Sequence, residues 1–353
     1  MKSLVIGGSK QVGLHLVQEL VRQEHEVYVL NRGKTKVEFP NGVKRLYSDR
    51  YNYDQLRSAL QGHNFDYIFD TSAYLVGSPL DPHAYEEPIK IFRNLFQKTL
   101  KHFVFASSQS VYLDTDFYPI TEESPVDRRT DANIKGGKDL RNYILNKLKC
   151  EEELKKAFKE EGFPMTIFRL SWVYGPENFR YSREASYLVR LEEGRKIIDV
   201  ERGLSIHQAV HVDDLALAFL AALGNKRALG ETYNISGDEF FTVNGFIETA
   251  AKVVGVKPKI VYLDYQTHEK LEKPISFFHS AMNARSFFMS IEKAKSHLDW
   301  KPKYDLESGL RDTYQWLRKV GRGWYKEYGG EWAGAAGAFD FSYEDEVIAR
   351  YGL

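Results

Sequence analysis

Hydrophobic residues follow two alternating periods along the first half of the chain. Short apolar runs at 4–6, 27–30, 43–47 and 67–69 have the length and side chains of strands buried on both faces. Between them, over 12–22 and 53–60, apolar residues recur every three or four positions, as on the inner face of a helix. The rhythm continues with a helical pattern at 89–100 before the run 102–106, and another around 143–159 before 165–168. Strands and helices alternating in this way predict an α/β fold built on a parallel sheet with helices on both faces. After Pro176 the pattern loosens into helices over 184–193, 213–223 and 243–254 and strands near 197–200, 231–235 and 259–263, read as a smaller lobe interleaved with the last strands of the sheet.

Composition narrows the possibilities. At roughly 100–200 residues per domain, 353 residues make about two domains, and 43% hydrophobic content supplies a sizeable core. Lysine and arginine total 49 against 49 acidic residues, so no global charge attracts nucleic acid or an anionic membrane. Cys150 is the single cysteine, which excludes an intrachain disulfide, and no C-x-x-C set points to a zinc domain. The apolar run Leu4-Val5-Ile6 is too short for a signal peptide, and the greasiest helical stretch, 215–223, is too short to span a bilayer. The expected location is the cytoplasm.

The first strand runs directly into Gly7-Gly8-Ser9-Lys10-Gln11-Val12-Gly13 and then a helix. Glycines between a strand and a helix let backbone N–H groups and the positive helix end hold a pyrophosphate; the bland alternative is a tight turn. This loop resembles the G-x-x-G-x-x-G of extended short-chain dehydrogenases, the NAD-dependent epimerase/dehydratase family, with Lys10 in place of the middle glycine. The resemblance implies a Rossmann-type doubly wound sheet over 1–176, completed by segments from 196–263, a smaller substrate lobe over 177–320, and a tail over 321–353. It also implies a cofactor site at Gly7, Ser9, Lys10, Gln11, Val12 and Gly13. Asn31 and Arg32 follow the second strand, where NAD-specific sites place a carboxylate on the ribose. Arg32, helped by Lys10 or Lys34, can instead pair with a 2′-phosphate, which favours NADP; alternatively Asn31 bonds the ribose and Arg32 covers the adenine. Asp49, followed by Arg50, matches the family aspartate beside the adenine, and Thr71, Ser72 and Ala73 match the backbone that lines the cofactor.

The strand 102–106 leads into Ser107-Ser108, and Ser108 matches the family Ser/Thr. Tyr143 and Lys147, four apart and so on one helical face, precede Glu151 and Leu154 in a pattern similar to the family's Y-x-x-x-K-x-x-x-E-x-x-L. Phe168-Arg169-Leu170-Ser171-Trp172-Val173-Tyr174-Gly175-Pro176 resembles R-P-x-N-x-Y-G-P, with Leu170 and Trp172 as departures and Val173 on the nicotinamide side. A free phenol is a poor base at neutral pH, and a neighbouring ammonium favours the phenolate. The resemblance thus implies Ser108 bonding the substrate oxygen, Tyr143 exchanging its proton, and Lys147 holding the cofactor ribose while hydride moves. The polar stretch 127–142 reads as a loop or lid.

Ser205-Ile206-His207-Gln208-Ala209-Val210-His211-Val212-Asp213-Asp214 resembles the family's R-D-x-x-H-V-x-D, with His207 where sugar-nucleotide enzymes place an arginine on the substrate pyrophosphate. Phosphate binding then falls to Arg180, Arg183, Arg202 or Arg285, or the substrate carries no diphosphate, and the candidate substrate residues are Ser108, Asn178, Arg180, His207 and Arg285. Ile291-Glu292-Lys293-Ala294 through Leu298, Trp300 and Pro302 extends the resemblance to most of the chain. Lys10, Asn31-Arg32-Gly33, Ser110-Val111-Tyr112-Leu113, Phe287-Phe288 and Gly321-Arg322-Gly323 look similar to the chloroplast stem-loop-binding proteins and their bacterial relatives, a subgroup whose plant members act in RNA metabolism. Three functions are thus weighed: an NAD(P)-dependent oxidoreductase acting on a sugar or sugar nucleotide, as a homodimer through the helices at 89–100 and 143–159; an RNA-binding protein on the same fold; or a cofactor-sensing regulator. The neutral charge favours the first.

Overall fold

The computed structural model describes residues 1–72, 86–112, 117–129, 137–178, 183–273, 275, 286–321 and 339–353. The elements run β1 (Lys2–Ile6), α1 (Gln11–Arg22), β2 (Glu26–Asn31), β3 (Lys44–Tyr47), α2 (Tyr53–Leu60), β4 (Tyr67–Asp70), α3 (Glu86–Phe96), β5 (His102–Ser108) and α4 (Gly137–Glu161). There follow β6 (Met165–Leu170), β7 (Trp172–Tyr174), α5 (Arg183–Glu192), β8 (Lys196–Val200), β9 (Ile206–His211), α6 (Val212–Ala222), β10 (Thr232–Ile235) and β11 (Phe240–Thr242). The chain ends with α7 (Val243–Val254), β12 (Lys259–Leu263), α8 (Tyr265–Glu269), α9 (Glu292–Leu298), α10 (Leu306–Val320) and α11 (Phe341–Tyr351).

These elements form two compact units. The first comprises 1–173, 212–236 and 289–301. It holds a seven-stranded sheet in the order β10-β6-β5-β4-β1-β2-β3, with every pair parallel. The order reverses between β1 and β4, the switch point at which strand ends diverge to leave a crevice. Both faces are apolar because the strands carry apolar side chains at almost every position. Leu4, Ile6, Ile68, Phe103, Phe105 and Ile167 pack with Phe92, Phe96, Cys150 and Leu154 of α3 and α4 on one side. On the other face, Phe69 and Phe168 meet Phe219 of α6 edge-on or tilted, at ring separations of 6.0 and 5.3 Å. Thr232–Ile235 is the only part of 196–263 that joins this sheet.

The second unit comprises 174–211, 237–288 and 302–353. Here β8 pairs in parallel with β12, and β9 antiparallel with β11. The three-residue strand β11 leads directly into α7, whose N-cap Thr242 accepts from Gly245 N at 3.0 Å and whose C-cap Gly255 takes φ +85. The tail packs on this unit through α11: Glu344 pairs with Arg190, both buried, while Tyr343 and Val347 join Ile198, Leu263 and Ile275 in a small core.

Candidate active site

The cofactor side of the site is set by glycine packing. Gly7 turns with φ +92, and a Cβ there would fall 2.5 Å from Ser72 Cβ. At Gly13 a Cβ would fall 2.6 Å from the Gly7 carbonyl oxygen, so the first turn of α1 lies directly on the loop. Val12 sits half-buried on α1, Gln11 is buried, and Ser9 is half-buried. Lys10 occupies the N-cap position in extended conformation and gives no side-chain cap. A close-packed glycine turn before a helix start that lacks a capping side chain is an arrangement that a pyrophosphate completes. The residues present therefore fit a dinucleotide.

At the sheet's outer edge the structure supplies what the local sequence lacks. No carboxylate follows β2, but the parallel pairing of β2 with β3 brings Asp49 to 4.0 Å from Arg32, both side chains substantially exposed. Asn31 Oδ1 accepts from Gly33 N at 2.8 Å, and Asp49 Oδ1 from Tyr51 N at 3.0 Å, each fixing its loop. Thr71 donates through Oγ1 to the Ile6 carbonyl at 2.9 Å, tying β4's exit to β1. Ala73 lies outside the described residues.

Arg50 turns inward rather than toward the edge. Its Nη1 donates to Asp70 Oδ1 at 2.6 Å and to Ser72 Oγ at 3.0 Å, beneath Gly7. Burial opposes the charge on Arg50, but Asp70 outweighs it and holds the guanidinium above its ordinary range.

The catalytic candidates lie on β5 and α4. Lys147 is 3% exposed and its ammonium donates to the Ala106 carbonyl, two residues before Ser108. Its Nζ lies 4.8 Å from the Phe105 ring centroid and 5.7 Å from that of Tyr143, which is half-buried one turn earlier. Burial pushes the Lys147 ammonium down to about 8, with Asp70, Cys150 and Glu151 opposing and Arg50 adding to the fall. Ser108 Oγ accepts from Ser110 N at 3.2 Å, capping the short turn Gln109–Val111 that follows β5.

Beneath this group, Glu151 fixes the helix to the sheet. It accepts from Ser107 Oγ at 2.5 Å and from Arg169 through both nitrogens of one guanidinium edge, at 2.6 and 3.1 Å. The motif residues Glu151 and Arg169 are thus the anchor that sets Tyr143 and Lys147 against β5. The polar stretch read as a loop over 127–142 is shorter than expected, because α4 begins at Gly137. Arg141 is buried in the helix's first turns and donates to Asp127 Oδ2 at 3.1 Å.

Val173 is half-buried on β7. In the second unit, Asn178 is buried and donates to Glu184 at 2.9 and 3.2 Å, and His207 on β9 shares a 2.9 Å hydrogen bond with Ser205 Oγ. Arg180 and Arg285 lie outside the described residues. Sequence reading missed Asp70, a carboxylate buried at the end of β4; an unexplained basic residue directly after Asp49 was the available signal.

Residues 3–236 match the NAD dependent epimerase/dehydratase family. The chain is 31% identical over 363 aligned positions, 99% of its own length and 84% of the relative's, to the chloroplast stem-loop binding protein of 41 kDa b of Arabidopsis thaliana. Among solved structures it is similar to UDP-glucose 4-epimerase of Thermotoga maritima with UDP-glucose, at TM-score 0.75 and 22% identity, covering 91% of this chain and 99% of that one. It is also similar to dTDP-glucose 4,6-dehydratase of Bacillus anthracis in complex with NAD, at TM-score 0.70 and 20% identity, covering 90% and 97%. With its parallel sheet, its glycine turn and a family match over most of its length, the chain belongs to the NAD dependent epimerase/dehydratase family.

Proposed function

We propose that the protein is an NAD-dependent oxidoreductase of the epimerase or dehydratase type, acting on a hydroxyl or keto group of a nucleotide sugar. The observation that carries this reading is the placement of Lys147, buried against β5 two residues before Ser108 and one helical turn from Tyr143. The family match and the UDP-glucose and NAD named for the similar structures support the substrate class and the cofactor.

A nicotinamide bound there would supply the hydride chemistry. Gly7, Ser9, Lys10, Gln11, Val12 and Gly13 would hold its pyrophosphate, and Thr71 and Ser72 would line it. Tyr143 takes the proton of the substrate hydroxyl and returns it, Ser108 holds the same oxygen, and Lys147 supplies positive charge beside the phenol while meeting the ribose. Asp49 beside Arg32 provides an acidic group near the ribose and opposes a 2′-phosphate, so NAD is proposed in place of the NADP that Arg32 alone favours. Asn178, Arg180, His207 and Arg285 remain the residues proposed for the sugar nucleotide, and α3 with α4 the face of a homodimer. Mass spectrometry of denatured protein, together with titration of the native protein, tests the cofactor: NAD released or bound supports the proposal, and failure to bind either dinucleotide refutes it.

The second reading, RNA binding, rests on the name of the Arabidopsis relative. With 49 basic against 49 acidic residues, its electrostatic support is weak.

A further inference from the structure

The buried group beneath the glycine turn contains more charge than a dinucleotide site needs for packing. Asp70 is fully buried at the end of β4, directly across from Phe105 of β5 in the parallel register. Lys147 lies over that Phe105 ring and donates to the adjoining Ala106 carbonyl. Asp70 Oδ1 is committed: it accepts from Arg50 Nη1 at 2.6 Å, from Ser72 N at 3.1 Å and from Ser72 Oγ at 3.3 Å. Its second oxygen, Oδ2, is buried and makes no hydrogen bond among the described residues. A carboxylate oxygen in that state is costly unless a positive charge lies near it.

We propose that Asp70 is the counter-ion of Lys147, a positioning residue whose carboxylate, held by Arg50, keeps the ammonium charged in its buried place through its charge rather than through a direct hydrogen bond. The inference rests on the reading of Lys147 as the lysine of the acid/base pair, but its test does not require turnover. The charged and titratable groups around Lys147 are Asp70 from β4, Arg50 from the loop after β3, and Tyr143, Cys150 and Glu151 from α4. Of these, Asp70 contributes the largest favourable charge, and Arg50 acts against it. Cys150 is neutral at working pH because burial pushes its thiol up to about 12. Glu151 already serves Ser107 and Arg169.

The test is to follow the titration of Lys147 side-chain resonances by NMR, assigned with Lys147→Met, in wild type, Asp70→Asn and Arg50→Met. The midpoint should fall by about one pH unit or more in Asp70→Asn and rise in Arg50→Met. Circular dichroism identifies a variant that does not fold, and the Asp70 variant carries the decision. If Asp70→Asn is not folded, Asp70→Glu, which keeps the charge but moves the carboxylate, takes its place, and a Lys147 midpoint unchanged there overturns the proposal. A Lys147 midpoint unchanged in folded Asp70→Asn overturns the proposal. Normal turnover in Lys147→Met, by contrast, would overturn the catalytic reading and leave the counter-ion assignment standing.

Discussion

Arg169 of β6 and Glu151 of α4 meet edge to edge, Nη2 to Oε2 at 2.6 Å and Nε to Oε1 at 3.1 Å, with both side chains buried. Ser107 of β5 adds a third bond to the same carboxylate at 2.5 Å. Because Glu151 stands one helical turn after Lys147, this contact fixes the height and rotation of the segment carrying Tyr143 and Lys147. Glu151→Gln leaves Arg169 buried without its counter-charge, and stability should fall by about 3 kcal/mol. Urea unfolding of the two proteins at neutral pH measures the loss.

Gly13→Ala should affect cofactor binding and stability together. The added methyl would meet the Gly7 carbonyl oxygen at 2.6 Å, so the loop and the start of α1 must separate. Stability should fall by about 2 kcal/mol, and NAD affinity by tenfold or more, about 1.4 kcal/mol. Thermal unfolding with and without NAD separates the two effects.

The proposed placement of Arg32 and Asp49 at the ribose predicts that they set the preference between NAD and NADP. Asp49→Asn removes the acidic neighbour 4.0 Å from the guanidinium and should move the ratio of dissociation constants toward NADP. Arg32→Asp should move it toward NAD. Titration with both dinucleotides gives the ratios, and ratios that do not change would place this pair away from the ribose.

The buried His102 predicts an acid-side loss of stability. Its ring is 1% exposed and shares a 2.8 Å hydrogen bond with Thr166 Oγ1. Burial pushes its pKa from 6.5 down to about 4. Because the folded value is the lower one, the unfolded chain binds more protons between these limits, and stability falls as pH drops from 6.5 toward 4. The contribution is about 3 kcal/mol at its fullest. Unfolding free energies measured across that interval should fall more steeply with pH in wild type than in His102→Asn, and equal slopes would show that His102 does not supply the loss.

Much of the first unit was legible in the sequence for a physical reason. Strands such as β1 and β4 are buried on both faces, so their apolar runs are uninterrupted, and helices such as α1 carry a clear buried stripe. The strands Trp172–Tyr174 and Phe240–Thr242 are too short to establish a period. The tail helix α11 depends on Glu344 pairing with Arg190, two residues 154 positions apart, which no local pattern reports. In the site, the spacing of Tyr143, Lys147 and Glu151 follows from helical geometry and was readable. The inward turn of Arg50, the burial of Asp70 and the approach of Asp49 to Arg32 arise from strand pairing and were not.

The most direct measurement of the account is single-turnover mixing of NAD-loaded protein with UDP- and dTDP-sugars, followed by reduced-nicotinamide absorbance, in wild type and Tyr143→Phe. The substitution removes one oxygen and leaves the ring, so NAD affinity should be unchanged. Hydride transfer from at least one of these sugars should appear in wild type and slow by about 10²–10⁴-fold in the variant, the contribution of a positioned acid/base. Hydride transfer at the wild-type rate in Tyr143→Phe, or a wild-type protein that binds no NAD, would contradict the account.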